Sequence, residues 1–210
     1  MAEPTTPDAP PALEASALRI GRYRWIEMRL FEALGGWVTG VPELDAKALL
    51  ATHSRHHGWH AELWHDLLPE LPVLPTTDGG HPGAGISIDD WAPPPSDEQL
   101  AAFAAALTEP QAPGLTVEKL VGVYRVALPQ TIAAYTRHLR AASPVADGPT
   151  IRALRLVLSD ELDHWRDGEM LVQSLVVEPG MLDRAAAHQV RLEKLLLAAG
   201  GIAGRPPDGA

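Results

Sequence analysis

Residues 151–165 read IRALRLVLSDELDHW. Leu154, Val157, Leu158 and Trp165 recur at three- and four-residue spacing, the period of a helix with one buried face. Glu161 falls among them. A carboxylate on an apolar stripe is costly to bury unless it is paired or bound to a cation. His164 follows three residues later, on the same helix face as Glu161. The form E-L-x-H occurs a second time, at Glu62-Leu63-Trp64-His65. A carboxylate and an imidazole on one face can converge on one cation, and iron and manganese accept both ligand types.

Working outward, the pattern is helical with one large break. A first helix is expected from about Leu13 to Val38, with Ile20, Tyr23, Ile26, Leu30, Phe31 and Leu34 on one stripe. Gly35-Gly36 ends or frays it. A second helix starts near Pro42, a favourable first-turn residue, and stops by Leu68 before Pro69 and Pro72. A third spans about Val117 to Ala142, with Pro129 inside it as a kink or break. The fourth follows Gly148-Pro149 and reaches about Val177. The last runs from about Met181 to Ala199 and is closed by Gly200-Gly201. Residues 71–95 are rich in Pro and Gly and lack helical period, so they read as part of a long connection of about 70–115. Within it a short helix follows Ser96, whose spacing to Gln99 fits a capping box. The expected fold is all-α: a four-helix bundle in two hairpins joined by a long crossover, with an additional C-terminal helix. Residues 1–12 read as a disordered arm, 13–201 as the bundle and 202–210 as a flexible tail.

Glu27 is a third candidate ligand, because it sits on the apolar stripe of the first helix and an isolated acid there wants a positive partner. With Glu27, Glu62/His65 and Glu161/His164 in place, the chain resembles the ferritin-like di-iron carboxylate superfamily. In that superfamily the first and third helices each give a Glu, and the second and fourth each give an E-x-x-H. The resemblance covers about residues 13–175 through a handful of positions, and no closer family is named. It implies metal ligands Glu27, Glu62, His65, Glu161 and His164, with one or two iron ions, or manganese, as cofactor. The third helix departs from the pattern. Tyr23-Arg24 recurs as Tyr124-Arg125, and that register sets Leu128 where the sixth ligand belongs. Gln130 is the nearest polar alternative. A weakly held second ion, a single ion, or a polar core without metal all remain open on this reading.

His53, His56, His57 and His60 precede His65 on the second helix and read as a polar or interfacial face. His138 and His188 read as surface residues, and His81 has no spacing partner. Tyr23 and Tyr124 lie one turn before ligand positions and read first as core residues. The absence of Cys excludes disulfides, thiolate metal sites and cysteine nucleophiles. A net charge of −10 disfavours nucleic acid and anionic membranes as partners. No apolar run is long enough to span a bilayer, and the start lacks signal-peptide character, so a cytoplasmic setting is expected. The expected function is a non-haem iron oxidoreductase activating dioxygen or peroxide for an unknown small-molecule substrate, as a monomer or homodimer. Iron storage and a metal-free binding or assembly module are the alternatives.

Overall fold

The computed structural model describes residues 13–68 and 98–204. The expected arm, the Ser96 cap, most of the crossover and the end of the tail lie outside them. Every regular element among the described residues is a helix, and none is a strand. Helix α1 is Leu13–Trp37 and α2 is Leu44–His65. Helix α3, Glu98–Thr108, and a 3-10 turn, Pro113–Leu115, follow. Helix α4, Thr116–Val121, passes through a π-helical stretch, Gly122–Ala127, into α5, Leu128–Ala141. Helices α6, Gly148–Leu175, and α7, Pro179–Ala198, complete the chain.

The buried stripe of α1 is Ile20, Tyr23, Ile26, Glu27, Leu30, Leu34 and Trp37. It lies against α2, whose inward residues are Ala46, Leu50, His53, Ser54, His57, His60, Ala61 and Trp64. Gly35 faces Ser54 and Gly58 faces the Phe31 ring, so the helices run in opposite directions and approach closely where one of them lacks a Cβ. The Ser54 hydroxyl donates to the Phe31 carbonyl at 2.9 Å and fixes that register. Helices α5 and α6 form the second hairpin, and α6 also packs on α2. Helix α7 covers α3 and α4, with Leu107 and Leu192 meeting over Gly122. It ends at Gly200 and Gly201, both with a φ of 77°, the left-handed conformation that closes a helix cheaply only with glycine.

The third rod is broken as Pro129 requires, but the break takes the form of a π-helical stretch just before it. A proline has no amide hydrogen and its ring crowds the carbonyl four residues back. A wider turn relieves that conflict without ending the rod. It presents Val123, Tyr124, Val126 and Ala127 to the core. Gly168 of α6 makes room for the Tyr124 ring, which a Cβ at that position would strike.

Candidate metal centre

Four side chains from three helices meet in the dry interior of the bundle. Glu27 of α1, His57 and His60 of α2, and Glu161 of α6 each offer one ligand atom, all within 4.8 Å of one another. Glu27, His57, His60 and Glu161 are each 0% exposed. His57 Nδ1 lies 2.6 Å from Glu27 Oε2 and 3.3 Å from Glu161 Oε1. His60 Nδ1 lies 3.2 Å from Glu161 Oε1 and 3.6 Å from Glu27 Oε2. Ligand atoms held at about 2.1 Å from one ion stand about 3.0 Å apart at right angles and about 3.4 Å apart at tetrahedral angles. The measured separations bracket those values.

The charges of the group cancel. Burial raises the Glu27 carboxyl, but the charge and hydrogen bonds of His57 and His60 outweigh it and hold its pKa at about 2. Glu161 is held low by the same opposition, with His57 as the main counterweight to burial. Burial lowers His57, but Glu161 and Glu27 push it up to about 9. Against the same burial, hydrogen bonds to Glu161 and Glu27 push His60 up to about 11. Two carboxylates and two imidazoliums therefore sum to zero. A divalent cation exchanged for the two imidazolium protons leaves that sum unchanged, so the interior can take the ion without a net charge. The donor set, two imidazoles and two carboxylates, suits iron, manganese or zinc. Two buried atoms of the group, Glu161 Oε2 and His57 Nε2, have no hydrogen-bond partner.

Outer contacts orient the ligands. The Tyr135 hydroxyl donates to Glu27 Oε1 at 2.5 Å, and Trp64 Nε1–H donates to the Tyr135 oxygen at 3.2 Å. Asp160 Oδ2 accepts from His60 Nε2 at 3.1 Å. Tyr23 packs edge-on against Tyr135, with ring centroids 4.6 Å apart. All three tyrosines of the chain are buried around this centre.

The residues expected from sequence separate into three groups. Glu27 and Glu161 are brought together in the cluster. His164 is buried beside it, stacked on His53 at 4.0 Å between ring centroids, with its Nε2 2.8 Å from His56 Nδ1. Burial holds His164 and His53 neutral, at about 2 and about 3. Glu62 is exposed and His65 half-buried, and neither belongs to the group of four. The register of α2 is the reason. His53, His57, His60 and Trp64 continue the inward stripe begun by Ala46 and Leu50, and at about 100° per residue Glu62 turns away from it.

The expected polar or interfacial face of His53, His56, His57 and His60 is corrected by the same register. His53, His57 and His60 are buried, and only His56 is half-buried. The signal was available in the sequence: these histidines keep the spacing of Leu50 and Trp64. His138 is also buried rather than superficial, against Tyr23. On the third rod Leu128 is fully buried and apolar, and Gln130 is exposed. That rod gives the site a hydroxyl from Tyr135 and no carboxylate. Among the described residues no helix is long and apolar enough to cross a membrane. No family model, curated protein or solved structure matches the chain.

Proposed function

We propose that this chain is a ferritin-like metalloprotein holding one iron ion in Glu27, His57, His60 and Glu161, and that it is a non-haem oxidoreductase acting with dioxygen or peroxide. The observation that carries the reading is the convergence of four ligand atoms, with balanced charge, in a core from which water is excluded. Two antiparallel hairpins with candidate ligands on α1, α2 and α6 support the ferritin-like assignment. When bound, the ion supplies an electron and an open coordination position for the oxidant.

The chain's own residues do the rest. Glu27 and Glu161 bring anionic oxygens from opposite hairpins. His57 and His60, three apart on α2, present Nδ1 to the same point. Asp160 keeps the hydrogen of His60 on Nε2 and so leaves Nδ1 free to ligate. Neutral His164 and His56 form an imidazole pair at the edge of the centre, where a proton can be held at His164 Nε2 or His56 Nδ1. Trp64 and Tyr23, fully buried and packed on Tyr135, close that side of the centre and keep it dry.

The test is metal content and reactivity of untagged protein loaded with ferrous iron. About one ion per chain and iron-dependent peroxide consumption are expected. Glu27→Ala with Glu161→Ala removes both. Unchanged iron in the folded double variant refutes the site.

A further inference from the structure

We propose that Tyr135 and Asp160 are positioning residues that tune the metal centre in opposite directions, Tyr135 through Glu27 and Asp160 through His60. The inference rests on the metal-centre reading above and adds to it the control of oxidation state.

The Tyr135 contact is directional. Its hydroxyl oxygen accepts the indole hydrogen of Trp64 at 3.2 Å, which leaves its own hydrogen to Glu27 Oε1 at 2.5 Å. The ring cannot swing away, because Tyr23 stands against it and both are fully buried. Glu27 therefore turns Oε2 alone toward His57 and His60. A strong hydrogen bond to Oε1 withdraws electron density from the carboxylate and makes Oε2 a weaker donor.

Asp160 acts with the reverse sign. Its Oδ2 accepts from His60 Nε2 at 3.1 Å, and its side chain is 29% exposed. An anionic acceptor on the far nitrogen strengthens an imidazole as a donor at the near one. Asp160 and Glu161 are neighbours on α6, so one turn of helix sets an inward ligand and its rim partner together. His57 has no such partner on Nε2; the push on the donor set is confined to His60. A more donating ligand set favours the ferric ion, and a less donating one the ferrous ion. Tyr135 thus raises the potential of the centre and Asp160 lowers it.

The experiment compares wild type, Tyr135→Phe, Asp160→Asn and the double variant, loaded with ferrous iron without oxygen. Iron is counted, and the ferric/ferrous potential is measured by redox titration. All four should hold the same number of ions. The potential should fall in Tyr135→Phe, rise in Asp160→Asn and lie between in the double variant. Trp64→Phe, which removes the indole hydrogen that the Tyr135 oxygen accepts and so weakens Tyr135 as a donor to Glu27, should shift it part-way in the Tyr135→Phe direction and serves if that variant does not fold. Loaded proteins whose potentials shift with one sign, or do not shift, overturn this inference alone. A wild type that binds no iron overturns the metal-centre reading and this inference with it.

Discussion

Raising the pH should tighten metal binding steeply, because the atoms that would ligate are the atoms that hold protons. His57 Nδ1 and His60 Nδ1 both point at the carboxylates, and His57 and His60 are pushed up to about 9 and about 11. Glu27, at about 2, and Glu161, held low beside it, stay ionised through the neutral range. An entering divalent ion must therefore displace two protons between pH 6 and pH 8. Each displaced proton contributes a factor of ten per pH unit, so the apparent Kd should fall about 100-fold per unit. Competition with a chelating indicator of known pH dependence measures the slope, and proton release into weak buffer counts the protons independently. A slope near zero or near one, with matching proton release, refutes the doubly protonated cluster. The metal-free protein gives a check of opposite sense. Both imidazoles have pKa values raised on folding, so their stabilisation is full below pH 6.5 and is lost as pH rises through about 9 and then about 11. Metal-free protein should become easier to denature over that rise, and loaded protein should not.

Three further predictions use other parts of the structure. Glu62→Gln and His65→Gln should leave iron stoichiometry unchanged by elemental analysis, since Glu62 is exposed and neither joins the group of four; loss of iron would restore the E-x-x-H assignment. Gly168→Ala drives a Cβ into the Tyr124 ring and should destabilise the fold by about 1–3 kcal/mol in urea titration, whereas a change within error would mean α6 can shift freely. Burial lowers His138 to about 4, so the unfolded chain binds its proton first and stability falls as pH drops from about 6.5 to about 4. The full effect of His138 is about 3 kcal/mol; His53 and His164, lowered further, add to the same fall, so His138→Gln should make it shallower by about that amount, and an unchanged profile would refute the assignment.

Helix positions were legible because apolar residues recur at helical spacing and Gly and Pro punctuate them. The limits of α1 and α6 follow from those signals to within two residues. Pro129 announced a break, but not its form, since a kink, an end or a wider turn all relieve the same clash. Glu27 and Glu161 could be singled out because a lone acid on an apolar stripe has no cheap place to be. The choice on α2 was harder. Glu62/His65 and His57/His60 both have three-residue spacing, and the E-L-x-H form lies on a different side of the helix from the cluster of four. Reading the histidines as continuations of the Leu50 and Trp64 stripe would have set them inward.

The sequence alone determined that this is a helical protein without thiol chemistry, carrying acids on two apolar stripes that need cationic partners. Periodicity and composition are local properties, and they suffice for that. Only the tertiary structure decided which partners those acids meet. Contact between Glu27, His57, His60 and Glu161 depends on the rotation of each helix about its own axis. That rotation is set by packing such as Gly58 under Phe31 and Gly168 under Tyr124, between residues far apart in the chain. The same packing set Tyr135, which no spacing rule singled out, against Glu27.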